Sequence, residues 1–591
     1  MKRRLKTILC LLLVAVLLFA CGAPAAEGDG AATSGTGDSA SSGSTSQDSG
    51  QTAESPSSGA SGVVTAMATH GGNAGAFNNA GWWAEIIREK VGIDLEFLNP
   101  VDAKEYLLVL RAANDLPDII ATGEFPIAIE MIQAGQLLNL DDHRDSLPNL
   151  FGTQHFAGAL DFSRDNVSNN TGDLYVIPGF IGEQNFLNFI MCVRWDIYQA
   201  IGAPVIETLD DYLPVLKQMM DYYPETEDGQ KVWGMSLFSD WDDYTMALTN
   251  FMVAYNYGYD VELVSHMMET PVDGSGSPRG LLEDDGMYKK GLKWFFDANQ
   301  LGIMDPDSPT QNWDTITGKW AEGRILLAPW MWAVGGFNTT DNTDVEDFRG
   351  YQAVWPEDFK TMIWPDLPVG RAWAISITQD AKNLEGALAF IDFYYSFEGM
   401  DLLYNGPQGV NWDINDAGQR YRTDFGWQIA RGDDVEMPGG GKMDAAANAI
   451  NFQSISSMTM NPASPGQTLS SGHWADVVGA NPTRLQLDWR EKTGFVDEME
   501  MAIGTGRAIK GHPALQMMPP LPEEYDLTML QVSNVIKTYS WQIAFATSQA
   551  EFDRLWDEMR TNAYELGYQD LIDWNVAAFA EALANAEKYM N

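Results

Sequence analysis

The sequence predicts a two-lobe α/β protein. Short apolar segments alternate with amphipathic segments from Val63 onward, as strands alternate with helices. About 530 residues follow Gly62, which is too many for one hydrophobic core, so two lobes are expected. The alternation also predicts a parallel sheet that helices cover on both faces.

The first five elements can be given limits from the pattern. We expect strands at residues 63–69, 93–98 and 117–121, and helices at residues 80–91 and 103–114. Thr208 and Asp211 are spaced as in a capping box, which predicts that a helix begins there. Apolar residues at helical spacing from Leu384 to Tyr404 predict another helix.

Long loops rich in tryptophan and glycine interrupt these elements. They lie at residues 71–83, 240–259, 330–343 and 406–412. Binding residues collect in long loops that a rigid α/β scaffold positions, so these loops are where we look for a site.

The amino terminus has the features of an export signal over residues 1–20. Four of the first six residues are positively charged, and an apolar run of roughly 13 residues extends from Ile8 to Ala20. The run is too short to span a membrane, which takes about 20 helical residues. Leu18-Phe19-Ala20-Cys21 resembles the bacterial lipobox, although Phe19 is bulkier than usual. We expect Cys21 to become a lipid anchor; the alternative is an ordinary secretory signal with an incidental cysteine.

Residues 21–62 are predicted to form a disordered tether. They are nearly all Ser, Gly, Ala, Thr, Asp and Glu, without apolar periodicity. A flexible coil of about 40 residues reaches roughly 35 Å, enough to hold a globular domain clear of a membrane.

Charge and cysteine content exclude several function classes. The formal charge is −46, and removal of residues 1–20 would leave −50, which excludes nucleic acid as a partner. Of the three cysteines, Cys10 leaves with the signal and Cys21 would be acylated. The mature chain then has no disulfide, and Cys192 is expected to be a small buried hydrophobic residue.

Several motifs follow one another in an order that resembles a known family. They are Asp115-Leu116-Pro117-Asp118-Ile119-Ile120, Gly135-Gln136-Leu137-Leu138-Asn139-Leu140, Gly172-Asp173-Leu174-Tyr175-Val176-Ile177-Pro178, Val193-Arg194-Trp195-Asp196, Glu322-Gly323-Arg324 and Trp373-Ala374-Ile375-Ser376. In this order the chain resembles the extracellular solute-binding proteins of carbohydrate ABC importers, family 1, particularly the large Gram-positive lipoprotein branch of aldouronate type. The resemblance extends over most of residues 63–591 and is weakest from about 413 to 515.

The resemblance implies both a fold and a function. It implies a periplasmic-binding-protein-like (type II) fold with a ligand cleft between lobe one, residues 63–190 and 372–470, and lobe two, residues 191–371 and 471–591. Such a protein captures a carbohydrate, an oligosaccharide, and delivers it to ABC transporter permease subunits. We therefore expect a monomeric binding protein without enzyme activity or cofactor, lipid-anchored to the outer face of the cell membrane.

A sugar site needs flat aromatic rings and interleaved polar groups. Trp330 and Trp332 follow an apolar run; if residues 326–330 form a strand, the two rings point the same way. Trp82 and Trp83 follow the first strand, at whose carboxyl end ligands approach an open α/β sheet. Glu124 follows the third strand, where relatives of the resembled family place a polar residue that binds sugar hydroxyls. For each tryptophan the alternative is a place in the core, and for Glu124 a surface loop.

Further candidates are distributed along the chain. They are Tyr175, Asn185, Trp241, Arg371 and Trp412. Arg371 has particular chemical interest, because a guanidinium can bind a uronate carboxylate with two parallel hydrogen bonds.

No metal site is predicted. Asp305, Asp307 and Asp314 have a loosely calcium-like spacing but lack the glycine and the distal glutamate of a calcium loop, so a turn is expected. The six histidines show no ligand spacing.

Two other function classes stay open. A secreted carbohydrate-active hydrolase would also be acidic and rich in tryptophan, and it would need two carboxyl groups about 5–10 Å apart. An oligopeptide receptor could use the same scaffold, with backbone hydrogen bonds in place of aromatic platforms.

Overall fold

The computed structural model of the protein describes residues 60–69, 80–100, 102–187, 189–261, 267–431, 433–443, 454–474, 477 and 479–589. The predicted signal peptide, Cys21 and the predicted tether up to residue 59 lie outside the described residues, as does most of the loop at 71–83. No helix within the described ranges is both long and apolar enough to span a bilayer.

Strands and helices of the described residues are numbered in chain order. The strands are β1 Val63–Ala68, β2 Asp94–Leu98, β3 Ile119–Thr122, β4 Ile177–Gly179, β5 Cys192–Arg194, β6 Tyr259–Asp260, β7 Met268–Pro271, β8 Arg279–Gly280, β9 Leu327–Ala328, β10 Tyr351–Ala353, β11 Thr361–Ile363, β12 Arg371–Ile377, β13 Trp412–Ile414, β14 Arg420–Arg422 and β15 Ala508–Lys510. The helices are α1 Trp82–Lys90, α2 Ala103–Ala113, α3 Phe125–Gln133, α4 Pro148–Gly152, α5 Ala157–Asn166, α6 Trp195–Ala200, α7 Tyr212–Tyr222, α8 Ala247–Met252, α9 Met287–Gln300, α10 Trp313–Ala321, α11 Thr340–Thr343, α12 Leu384–Tyr394, α13 Phe397–Asn405, α14 Asp424–Ala430, α15 Arg484–Thr493, α16 Glu498–Gly504, α17 Asp526–Ala544, α18 Gln549–Glu565 and α19 Tyr568–Tyr589.

A five-stranded sheet with the order β2-β1-β3-β12-β4 forms the core of the first lobe. β1 pairs in parallel with β2 and with β3, as predicted. β12 enters between β3 and β4 in antiparallel orientation, so the sheet is mixed rather than wholly parallel. All four residues of β3 are buried, which explains their continuous apolar run.

Asp118 ties the elements of this sheet together. The Asp118 carboxylate accepts hydrogen bonds from the backbone N–H of Thr65 at 2.7 Å, from the Thr65 hydroxyl at 2.9 Å and from the backbone N–H of Asn383 at 3.0 Å. Asn383 in turn caps α12, because its side chain accepts from the N–H of Gly386. A buried carboxylate with three donors therefore fixes β1, β3 and the start of α12 relative to one another.

The elements predicted between residues 63 and 121 and the predicted capping box agree with the structure, whereas the helix predicted from Leu384 does not. The strands and helices expected between residues 63 and 121 lie within two residues of their predicted limits. Thr208 and Asp211 form the predicted capping box, which opens a 3-10 turn that leads into α7. The single helix predicted from Leu384 to Tyr404 is instead two helices, because Ser396 is extended and its hydroxyl caps α13 by accepting from the N–H of Gly399.

The second lobe is built around a three-stranded antiparallel sheet with the order β10-β5-β9. Cys192 lies buried on its central strand, where burial raises the pKa of the thiol well above its usual value. The adjacent Arg194 is buried and pairs with Asp196 at 2.8 Å. The segments 180–191 and 354–370 connect this sheet with the first one, and the predicted lobe boundaries stay a prediction.

The long carboxyl-terminal helices pack on the second lobe. α17 packs on α9, where the Tyr288 and Ser540 hydroxyls are 2.7 Å apart, and α18 packs on α17. α19 begins beside β8, since the Tyr568 hydroxyl accepts from the N–H of Leu281 at 2.7 Å. At its far end the Tyr589 hydroxyl donates to Asp165 on α5 at 2.6 Å. The last helix therefore contacts both lobes.

Candidate ligand-binding cleft

Four tryptophans of the second lobe form one stacked group, here called the tryptophan cluster: Trp241, Trp313, Trp330 and Trp332. The rings of Trp241 and Trp313 stack with centroids 4.5 Å apart and planes at 20°, and those of Trp330 and Trp332 are 5.1 Å apart at 28°. Trp241 and Trp332 are 6.4 Å apart at 21°. The four rings thus form a continuous aromatic surface.

Local structure places each ring of the cluster. β9 ends at Ala328, and Trp332 begins a 3-10 turn, so the strand expected over residues 326–330 is shorter than predicted. Trp313 is the first residue of α10, whose cap is the Asn312 side chain. The backbone N–H of Trp313 also donates to Asp240 at 3.0 Å, which links α10 to the loop that carries Trp241.

Only part of the cluster is open to solvent. Trp330 is 1% exposed and packs under the other rings, whereas Trp241 is 38% and Trp332 52% exposed. Large exposed indoles that stack on buried ones are uncommon surfaces for a monomeric protein, because they leave apolar area in water. The two exposed rings are therefore positioned to receive the apolar face of a ligand.

Carboxylates lie beside these rings on the same loop. Asp242 accepts from the Trp541 indole N–H at 2.6 Å and from the N–H of Ala247 at 2.9 Å, and burial raises the pKa of Asp242 to about 7. The Ser533 hydroxyl donates to the backbone carbonyl of Asp243 at 3.2 Å. Helix α17, which carries Trp541 and Ser533, thus holds the loop in place.

The first lobe faces this loop with Glu124. Glu124 follows β3 and is the residue at which α3 begins, and its carboxylate pairs with Lys104 of α2. Burial, and then the negative charge of Glu124, raise the pKa of Asp243, while Lys104 and Lys537 oppose the increase. Glu124 and Lys104 of the first lobe therefore lie close enough to Asp243 for their charges to act on its pKa.

A cavity of about 670 Å³ continues the cleft next to the tryptophan cluster. Its lining includes Met331, between Trp330 and Trp332 in the chain, and Asn185 from the segment that connects the two sheets. The lining also includes residues of the hairpin β13–β14 and of helices α14, α15 and α16, together with Gly472, His473, Val477, Gly479 and Ala480. The volume is within the range of small-molecule binding sites.

The structure brings four of the predicted site residues together and separates the others. The rings of Trp241, Trp330 and Trp332 lie together in the tryptophan cluster, and the charge of Glu124 acts on Asp243 in the loop that carries Trp241. Asn185 lines the adjoining cavity. Their role in ligand binding stays a prediction.

Trp82 and Trp83 lie in the core of the first lobe. The backbone N–H of Trp82 donates to the carbonyl of Gly440, and its indole N–H donates to the carbonyl of Lys442, both at 3.0 Å. Gly81 has φ +81°, and a Cβ there would lie 2.7 Å from that same Gly440 carbonyl oxygen. The segment around Gly440 therefore covers the start of α1, where the sequence suggested an open approach to the sheet.

The remaining three candidates lie elsewhere. Arg371 is half-buried, with its guanidinium 3.8 Å from the centre of the Phe180 ring, and desolvation lowers its pKa to about 9. Trp412 is buried under Arg420, and its indole N–H donates a hydrogen bond to the carbonyl of Gly406 at 2.9 Å. The Tyr175 hydroxyl is 3.4 Å from Asp173.

Several residues of the cleft were not predicted. Trp313, Asp243, Arg422 and Trp427 contribute to the cluster, the facing wall or the cavity. Trp313 could have been found from Asn312, a capping residue directly before it, which marks the exposed start of a helix. Arg422 and Trp427 lie in the region of weakest resemblance, and no sequence signal singles them out.

The aspartates with calcium-like spacing form a different structure. The Lys319 ammonium is buried, 2.6 Å from Asp305 and 3.0 Å from Asp307. Asp305 also accepts from the Ser236 hydroxyl at 2.8 Å. Lys319 thus neutralises the negative charge of Asp305 and Asp307. The described residues contain no group of three or more side chains suited to hold a metal ion.

The sequence matches no protein-family model, and no curated protein matches it. Solved structures do resemble the chain. The alginate-binding protein AlgQ2 is 14% identical with a TM-score of 0.58, covering 89% of this chain and 99% of that one. The ABC-transporter substrate binding protein FusA of S. pneumoniae, in complex with kestose, is 14% identical with a TM-score of 0.59, covering 88% and 100%.

A third structure shows the same arrangement. The HMO binding ABC-transporter associated solute binding protein of Bifidobacterium longum infantis ATCC 15697 is 16% identical with a TM-score of 0.53, covering 88% of this chain and 98% of that one. The likeness extends over nearly the whole length of all three proteins. The chain therefore has the two-lobe α/β fold of solute-binding proteins, as its sequence predicts.

Proposed function

We propose that the protein is an extracytoplasmic solute-binding protein that captures an oligosaccharide in the cleft and delivers it to the permease of an ABC importer. The observation that carries the proposal is the pair of exposed, stacked rings of Trp241 and Trp332. Trp241 is two residues from Asp243, whose pKa is raised in part by the charge of Glu124 in the other lobe. The structural relatives support it, since their names describe binding of alginate, kestose and HMO. Within this class, the motifs favour the aldouronate-type branch.

The cleft has the two kinds of group that a sugar requires. A pyranose ring presents C–H groups on its faces, and stacking on an indole removes apolar surface of both from water. Burial of one large side chain is worth about 1.5–3 kcal/mol. The hydroxyls at the ring edge need hydrogen-bond partners, which Glu124, Asp243 and Asn185 can supply.

Lobe movement would couple binding to delivery. A ligand that contacts Trp332 on one lobe and Glu124 on the other stabilises the closed arrangement by the contacts that exist only there. In this proposal the permease recognises that closed form, and the segments 180–191 and 354–370 absorb the movement.

The export signal and Cys21 complete the proposal. A lipid-modified Cys21 would hold the protein on the outer face of the cell membrane, and residues 22–62 would give the folded part its reach. Cys21→Ser should move the protein from the membrane fraction to the medium and abolish palmitate labelling. A Cys21→Ser protein that stays in the membrane fraction would contradict the anchor.

Titration with sugars tests the binding function directly. We expect tryptophan fluorescence and calorimetry to detect stoichiometric binding of at least one member of a panel of fructo-, manno-, xylo- and uronate oligosaccharides. Trp332→Ala should weaken that binding about 10- to 100-fold, because it removes the exposed platform. Tyr222→Ala, which removes an exposed aromatic ring of α7 outside the cluster, is the matched control.

The same samples separate the two other function classes. A hydrolase would use Glu124 and Asp243 as its carboxyl pair and release reducing ends from the bound sugar over time. A peptide receptor would bind a random peptide pool and ignore the sugars. Binding of a sugar that is recovered intact supports the proposal; failure of the folded protein to bind any sugar would overturn it.

A further inference from the structure

The cavity beside the tryptophan cluster has an unusual balance of charge for this protein. The whole chain has 36 basic and 82 acidic residues. Among the described residues, by contrast, the cavity lining has three arginines, Arg422, Arg431 and Arg490, and two acidic residues, Asp497 and Glu498. Burial raises the pKa of Glu498. The cavity is thus a locally positive site on a strongly acidic protein.

Two of these arginines already have partners. Arg431 pairs with Asp433 at 3.3 Å. Arg490 donates to the backbone carbonyls of Val496 and Gly479, both at 2.9 Å. These contacts hold the cavity wall together.

Arg422 differs from both. Its Nε donates to the Ser471 hydroxyl at 3.2 Å, and its guanidinium lies 5.3 Å from the centre of the Trp427 ring, another lining residue. In the described part of the chain Arg422 forms no ion pair with a carboxylate. Burial lowers its pKa, so the half-buried guanidinium has lost hydration that no carboxylate among the described residues replaces.

A comparison within the same strand shows how unusual this is. Arg420, two residues earlier on β14, forms an ion pair with Asp401, with Nη2 2.9 Å from the carboxylate. A buried guanidinium normally finds such a partner, because desolvation without one is unfavourable. His473 adds no charge of its own, since burial and the neighbouring Arg422 lower its pKa and keep the ring neutral.

We propose that Arg422 binds an anionic substituent of the captured saccharide, a carboxylate or a sulfate ester. The guanidinium has five N–H donors in a planar fork that matches such an oxyanion, and one of them is engaged by Ser471. Trp427 supplies an aromatic ring for the sugar that bears the group, as Trp332 does in the cleft. This inference rests on the proposed function and adds to it the residue that binds the charged group of the ligand.

The test compares acidic saccharides with their neutral counterparts. The probes are oligogalacturonate and glucuronic-acid-substituted xylooligosaccharide, each beside its carboxyl-reduced form, and a sulfated oligosaccharide beside its desulfated form. Calorimetry on the full folded protein should show at least one acidic probe binding about 10- to 100-fold more tightly than its neutral partner. Which pair shows the difference tells carboxylate from sulfate.

Variants assign the preference to Arg422. Arg422→Gln should remove the difference between acidic and neutral partners and leave the neutral affinity within about twofold, whereas Arg422→Lys should retain part of it. Arg554→Gln, an exposed arginine of α18 that pairs with Glu558, is the control and should change neither affinity. Thermal unfolding of Arg422→Gln checks that the hairpin stays folded.

Each outcome has a definite meaning. Equal binding of acidic and neutral partners, or an equal loss of both in Arg422→Gln, would overturn the anion site while the proposed carbohydrate function stands. Absence of binding by every probe, acidic and neutral, would overturn the proposed function and this inference together.

Discussion

The rings of Trp330 and Trp332 stack 5.1 Å apart, yet the first is 1% and the second 52% exposed. One residue separates them in the chain, and the 3-10 turn that begins at Trp332 directs the two side chains to different depths of the same cluster. The buried ring supports the exposed one. Stability and binding should therefore depend on different members of this pair.

Trp330→Ala should destabilise the protein by about 3–5 kcal/mol, because it leaves a cavity under the cluster. Trp332→Ala should change the free energy of unfolding little and weaken sugar binding about 10- to 100-fold. Urea unfolding and calorimetric titration of both variants measure the two effects. Equal destabilisation by the two substitutions would contradict the division of roles.

The pKa of Asp242 predicts a pH dependence of stability. Its ordinary value is 3.8 and its value in the folded protein is about 7, so the folded state holds this proton where the unfolded state has released it. The contribution of the neutral carboxyl is therefore fully present at low pH and is lost as pH rises from about 4 to about 7.

Asp242→Asn isolates that contribution. We compare the free energy of unfolding of the wild type with that of the variant. The difference, wild type minus variant, should fall by about 1 kcal/mol per pH unit over this range and level off above pH 7. Urea unfolding at a series of pH values measures the difference, from which the other carboxylates cancel. A difference that does not vary with pH would show that Asp242 titrates normally.

The buried ion pair of Lys319 predicts a large loss of stability. Its ammonium is 7% exposed and neutralises Asp305 and Asp307, so Lys319→Met leaves a buried carboxylate without its partner. We expect a loss of about 3–5 kcal/mol. Restoring neutrality in Lys319→Met/Asp305→Asn should recover part of it.

An exposed lysine provides the control for Lys319. Lys382 pairs with Asp115 at 2.8 Å on the surface, so Lys382→Met should leave the urea midpoint unchanged within error. If both lysine variants unfold at the same urea concentration, the Lys319 pair contributes no more than a surface contact.

The sequence was sufficient for the parts of the fold that depend on local pattern. The strand β3 and the capping box of Thr208 and Asp211 follow from apolar runs and from residue spacing, and both are confirmed. The break at Ser396 was not predicted, because the apolar pattern continues through it. Ser396 is extended since its side chain caps the next helix, and a single serine is a weak sequence signal for such a cap.

Tertiary contacts determine which tryptophans are buried, and the sequence pattern could not predict this. Trp82 and Trp332 are both tryptophans near strand ends, but the segment around Gly440 covers the first, whereas the second is 52% exposed. The partner that covers Trp82 lies more than 350 residues away in the chain, as the hydrogen bond to Lys442 shows. Burial of this kind depends on long-range packing and cannot be inferred from neighbouring residues.

Glu124 tests whether both lobes contact one ligand. Its carboxylate is exposed and pairs with Lys104, so Glu124→Gln should leave the free energy of unfolding nearly unchanged. If the carboxylate accepts hydrogen bonds from sugar hydroxyls, the substitution should weaken binding about 10-fold. Glu130→Gln on the same helix α3, which disrupts an exposed pair with Arg111, is the matched control and should bind normally.

A double-mutant cycle then distinguishes closure from separate contacts. In a closed cleft the ligand contacts Glu124 and Trp332 simultaneously, and loss of either contact shifts the equilibrium toward the open form. Glu124→Gln combined with Trp332→Ala should therefore weaken calorimetric binding by less than the product of the two single effects. Strict additivity would mean that the two walls act on the ligand independently, which would contradict closure as the coupling between binding and delivery.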